Sequence, residues 1–90
     1  MGKIIVEKPD KEKLENLNIK SWPIWEKETS TFPWEYTETE TCYFLEGKVK
    51  VKTSDGEEVE IGKGDLATFP KGLKCTWNII EKVKKHYNFS

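Results

Sequence analysis

Arginine is missing from the 90 residues, so all fifteen basic side chains are lysines. Planar, bidentate clamps on phosphate or carboxylate, the speciality of the guanidinium group, are therefore excluded. The lysines are spread along the chain against 16 acidic residues, for a net charge of -1, which argues against a nucleic-acid partner. Histidine occurs once, as His86, and cysteine twice, as Cys42 and Cys75, so the nitrogen and sulfur donors of a zinc site are scarce. No run approaches the roughly 20 apolar residues that cross a bilayer. The start "MGKIIVEKPD" lacks a signal-peptide core and cleavage site, and Val6 stands where a myristoylation signal after Met1-Gly2 needs Ser or Thr. The expectation is a soluble, cytoplasmic protein with no membrane partner, its two cysteines reduced thiols rather than a disulfide. Asn, Gln and Met are few while Lys and Glu abound, a bias that fits a thermophile.

Aromatic residues are what the chain does have: four Trp, three Tyr and four Phe. Each large ring buries roughly 150–250 Å² for few side-chain torsions. A chain of this length forms one domain, residues 1–90, and buries only about two-thirds or less of its unfolded surface. Aromatic packing therefore carries much of the stability.

Residues 3–8, "KIIVEK", read as a short strand, followed by a helical turn capped by Asp10 with Leu14 and Leu17 on one face. Residues 19–36 hold two aromatic-proline clusters, and Pro23 and Pro33 confine them to edge strands or extended chain. From Thr41 the pattern is all-β. A strand to Glu46 and a turn at Gly47 precede "KVKVK", with Val49 and Val51 facing inward and Lys48, Lys50 and Lys52 outward. Asp55-Gly56 marks a hairpin, "EVEI" a strand, and "GKGD" and Pro70-Lys71-Gly72 two further turns. Leu73, Cys75, Trp77 and Ile79 alternate against polar residues, and a last strand over 83–89 aligns Val83, Lys85, Tyr87 and Phe89. Short strands with regular turns predict a sandwich or small barrel.

The segment "TETETCYFLEG" changes character halfway. Glu38 and Glu40 begin an alternating row that continues through Cys42 and Phe44, so Glu40 is expected to turn inward, where an ionised carboxylate is costly unless something there needs it.

The succession "YFLEGKVKV…DG…IGKGDLATFPKGLKC" resembles the cupin superfamily, with Glu46-Gly47, Asp55-Gly56, Gly64-Asp65 and Pro70-x-Gly72 in the family's order and spacing. The motif region covers about 33–79. The aromatic front and the ending "LKCTWNIIEKVKKHYNF" are similar more narrowly to small single-domain cupins grouped with ureidoglycine aminohydrolase and ethanolamine-utilisation cupin domains, and over nearly the whole chain to stand-alone Thermotoga-type cupins of unassigned function. The resemblance implies an all-β jelly-roll barrel with a pocket at one mouth, often as a homodimer. It also implies a metal bound by His-x-His, a Glu and a final His. By position Glu40 matches the ligand Glu, Trp34 and Tyr36 fall at or beside the His-x-His pair, and Cys75 takes the place of the last His.

Three of the four implied ligands are thus replaced, and no cofactor is expected; a divalent metal, if bound, would use Glu40 and Cys75. The expected pocket is lined by Trp34, Tyr36, Glu40, Cys42, Cys75 and Trp77 and takes a small polar metabolite. Two alternatives stand beside binding: an enzyme acting on a nitrogenous or sugar-like metabolite by hydrolysis or isomerisation, with Glu40 as catalytic acid-base group, and a structural or regulatory homodimer with a vestigial pocket. Cys75 is read as a small buried hydrophobe rather than a nucleophile, because no His lies near it in sequence. His86 is expected to be exposed or at a subunit contact, and Trp22, Trp25 and Phe32 to serve the core or a dimer interface.

Overall fold

Alternation of apolar and polar residues sets most of the architecture. A computed structural model describes residues 3–89. The Met1-Gly2 start, on which the myristoylation reading rests, lies outside them. Strand β1 (Ile5–Glu7) leads to helix α1 (Lys11–Asn16), where the Asp10 side chain accepts the Lys13 backbone N–H and caps the first turn. A single 3-10 turn (Ile19–Ser21) buries Ile19 and delivers the chain to β2 (Ile24–Lys27) and β3 (Ser30–Glu35). Then follow β4 (Glu40–Thr53), β5 (Glu58–Gly62), β6 (Leu66–Phe69) and β7 (Lys74–Phe89).

All pairings are antiparallel, in the order β1-β6-β4-β7-β2, with β5 added beside β4 and β3 beside β7. Long central strands β4 and β7 run against each other from Glu40/Phe89 to Thr53/Cys75. Each acquires a different neighbour in each half: β6 and then β5 beside β4, β3 and then β2 beside β7. The result is the all-β jelly-roll barrel expected, with its short N-terminal helical turn. Inside it, Phe44, Phe69 and Trp77 meet with ring centroids 5.6–6.3 Å apart, surrounded by Val49, Val51, Ile61 and Val83.

One expected turn and one expected strand break are corrected. Gly47 does not end a strand, because β4 continues through it with positive φ of 95° and three shifts of register against β7 between Phe44 and Val49. A bulge, like a turn, needs a residue that adopts the left-handed region, so the Glu-Gly signal was right about conformation and wrong about chain direction. The segments 73–79 and 83–89 are likewise one bent strand, β7. The "GKGD" turn forms as read. Buried Asp65 accepts the Gly62 N–H at 2.8 Å and the Lys8 ammonium at 2.7 Å, tying the N-terminal segment to the barrel.

Pro33 is accommodated because β3, like β2, pairs on one side only, with β7. These edge strands lay the aromatic front half along both halves of β7. No helix among the described residues is long and apolar enough to cross a membrane.

Candidate functional site

Under those edge strands lies a cavity of about 460 Å³. β2 contributes Trp25 and Lys27, β3 Phe32 and Trp34, and β7 Trp77, Lys85, Tyr87 and Phe89. Tyr36 and Glu40, both buried, complete the lining. Strand parity explains the set: Trp25 and Lys27 are two apart, as are Phe32 and Trp34, and Trp77, Lys85, Tyr87 and Phe89 all share the odd row of β7.

Glu40 does turn inward, with 5% of its surface exposed, and what meets it there is Lys85, also 5% exposed. The Lys85 Nζ stands 3.4 Å from a Glu40 carboxylate oxygen and donates a hydrogen bond to the Cys42 sulfur at 3.2 Å. It also lies over three ring faces, 4.5 Å from the Trp77 centroid, 4.9 Å from Trp25 and 5.8 Å from Phe44. Removing an ammonium from water costs several kcal/mol, which a facing carboxylate offsets. Cation–π contacts with desolvated rings add about 2 kcal/mol or more at best. Lys85 is thus a cation held by this chain in an aromatic cage.

A second polar contact lies deeper. The Trp77 indole N–H donates to the Tyr36 hydroxyl at 3.2 Å, and the Tyr36 ring stacks on Phe69 at 4.9 Å. Burial, reinforced by the neighbouring Glu40 and by the thiols of Cys42 and Cys75, pushes the Tyr36 hydroxyl far above its ordinary range. Tyr36 therefore keeps its proton.

Of the six side chains expected to line the pocket, Trp34, Tyr36, Glu40 and Trp77 do so, and Cys42 and Cys75 do not. Cys42 is wholly enclosed, and Cys75 is buried where β7 pairs with Trp34 of β3 and Thr53 of β4. Parity directs both thiols inward but does not set how deep along the barrel they sit. Burial pushes Cys42 up to about 12, with Lys85 opposing the rise and Glu40 adding to it, and pushes Cys75 up to about 11. Both thiols then stay protonated and unreactive at neutral pH. At pH 8 the native protein is expected to react with a disulfide reagent at least tenfold more slowly than the urea-unfolded chain; equal rates would show an exposed thiolate. Because the folded values are raised, this protection is complete below about pH 9 and is lost as pH climbs through about 11 and 12.

His86 is also corrected, being buried rather than exposed. Its Nδ1 lies 2.9 Å from the Trp22 carbonyl oxygen, which only accepts, so Nδ1 carries the proton and ties β7 to the chain entering β2. Trp25 and Phe32 are wall residues of the cavity. Lys27, Lys85, Tyr87 and Phe89 line the cavity without having been expected there, although the alternating row of the last strand puts Lys85, Tyr87 and Phe89 on the face of Val83.

The residues do not fit the metal that the fold implies. Its one matching ligand, Glu40, faces an ammonium at 3.4 Å, and a divalent ion at that carboxylate would bring two cations together. Trp34 and Tyr36 offer an indole and a protonated phenol, and the Cys75 thiol is outside the cavity. Among the described residues no group of three His, Cys, Asp or Glu side chains is placed to hold an ion.

Comparison with known proteins agrees with this architecture. The family described as the EutQ-like cupin domain matches over residues 14–87. A DUF861 family protein of known structure from Thermotoga maritima is 57% identical, with 98% of this chain and 100% of that one covered and a TM-score of 0.97. The EutQ protein of Clostridium difficile is 26% identical over 73% of this chain and 52% of its own, TM-score 0.67, so this chain spans about half its length. A DUF861 family protein of unknown function from Pseudomonas syringae, 20% identical, covers 74% of this chain and 29% of its own at TM-score 0.68, a likeness of fold alone. No curated protein matches.

Proposed function

The chain belongs to the EutQ-like cupin domain family, and from that premise we propose that it binds a small polar metabolite at the barrel mouth, in the cytoplasm, without a metal. The observation that carries the reading is the Lys85–Glu40 pair set in the wall of an aromatic cavity open enough to admit a ligand. Its volume lies within the few hundred to a thousand Å³ usual for small-molecule sites, and such sites combine apolar walls with a few placed polar groups. A buried charged pair contributes little net stability compared with an apolar filling, so stability alone is a poor reason to keep one here. The free, buried thiols suit a reducing compartment.

A thermal-shift screen against small polar metabolites tests this. A ligand at one hundred times its Kd adds about 2.7 kcal/mol, which for a domain of this size raises the midpoint by on the order of 10 °C. Resonances of the Trp25 and Trp77 indoles should move with the same ligand. A flat screen would favour the structural homodimer with a vestigial pocket instead. The enzymatic alternative has one observation in its favour, that the Glu40 carboxylate lines the cavity. Following each bound metabolite by NMR separates the two: recovery unchanged means binding, conversion means catalysis, and its loss in a Glu40→Gln protein that circular dichroism shows to be folded gives Glu40 the acid-base role.

A further inference from the structure

We propose that the cavity is built for a flat organic monoanion, an aromatic or conjugated carboxylate, whose charged end is received by Lys85 and Tyr36 and whose ring lies between the aromatic walls. This rests on the binding reading above and adds the chemical class of the ligand.

Charge decides the sign. The lining contains two ammonium groups, Lys27 and Lys85, against one carboxylate, Glu40. The buried Lys85–Glu40 pair cancels, and the charge left over is that of Lys27 at the exposed rim, which favours an anion over a cation and a monoanion over a dianion. Aromatic boxes commonly take ammonium ligands, but this one is already filled: Lys85 sits 4.5 and 4.9 Å from the Trp77 and Trp25 centroids, and a second cation would meet it head on.

Hydrogen bonding points the same way. An ammonium carries three N–H donors, and among the described residues Lys85 uses two, toward Glu40 at 3.4 Å and Cys42 at 3.2 Å. Tyr36 accepts from Trp77, which leaves its own O–H proton to give, and no described residue takes it. Two donors are thus left free near the floor, the third Lys85 N–H and the Tyr36 O–H, suited to an oxygen of an anion, while Glu40 keeps acceptor capacity beside them. At the other side Lys27 lies over the Phe32 ring, 5.4 Å from its centroid, and is exposed, so it can turn to the ligand. Shape supplies the rest. Phe32 stacks on Trp77 at 6.2 Å and Trp34 stands edge-on to Tyr36 at 6.4 Å, walls that favour a planar body over a branched one.

Three probes of one shape and different charge test the assignment: benzoate, benzyl alcohol and benzylamine, titrated at constant ionic strength into isotope-labelled protein. Benzoate is expected to move the Trp25 and Trp77 indole signals saturably and to bind at least tenfold more tightly than benzyl alcohol, with benzylamine weakest. Lys85→Met should erase the preference for benzoate. Because that variant removes a buried charge and can fail to fold, Lys27→Gln is the second arm: at an exposed position, it should weaken benzoate several-fold and leave benzyl alcohol unchanged. Benzylamine binding as tightly as benzoate, equal affinity for benzoate and the alcohol, or indifference of benzoate to Lys27→Gln would each overturn the anion assignment while leaving the binding reading standing. If none of the three binds, the assignment falls, and a flat metabolite screen alongside would remove the binding reading with it.

Discussion

Gly47→Ala is expected to cost about 3–5 kcal/mol, enough to leave the domain largely unfolded if its total stability is near the low end of the usual 5–15 kcal/mol. Two effects add. The position has φ of 95°, which disfavours any side chain. A Cβ there would also lie 2.2 Å from the Lys82 carbonyl oxygen and 2.8 Å from the Val83 Cα. These are backbone atoms of β7, so no rotamer change relieves the overlap; the two central strands have to separate at their bulges. Gly56→Ala is the matched control, with φ of 93° and nothing within 4 Å of the added carbon. It should cost only about 1–2 kcal/mol. Urea unfolding of both variants checks the comparison, and equal losses would mean that backbone strain alone, without the contact to β7, sets the penalty. Any Gly47→Ala protein that folds should also have an altered cavity, because Val83 and Lys85 follow Lys82 along the displaced strand.

That contact shows what a sequence of this kind does and does not make legible. Alternation is local and half of each strand is buried, so the inner faces of Val49 and Val51, and of Leu73, Cys75, Trp77 and Ile79, could be read directly, and all six are buried. Glu40 was legible as the inward member of its row for the same reason. What alternation does not encode is depth along the barrel or the identity of a partner across it. Cys42 and Cys75 have the right parity and lie outside the cavity. Lys85 has the right parity too, but its partner is 45 residues away in sequence, joined only by the pairing of Cys42 with Tyr87 and Phe44 with Lys85 between β4 and β7. His86 fails differently. Its row faces away from the core, and the chain at Trp22 covers it, a packing that no periodicity within β7 could announce.

The Lys85–Glu40 pair carries the other large expected effect. Lys85→Met removes an ammonium whose surroundings are built around it and leaves Glu40, 7% exposed at its side chain, facing aromatic rings without a counter-ion. Glu40→Gln leaves the converse, an ammonium with a thiol, an amide and three ring faces. Breaking a buried pair from one side typically costs about 3–5 kcal/mol, mostly the penalty for the charge left behind. Replacing both should be far milder, because neither charge then needs compensation, so the loss in Glu40→Gln/Lys85→Met should be smaller than either single loss and well short of their sum. A double-mutant cycle in urea measures this coupling. Strict additivity would mean that the two groups, at 3.4 Å, are held apart by water and act independently. Strong coupling with a double variant as stable as the parent would say something further: the fold does not need the pair, and its place in the cavity wall answers to what the cavity binds.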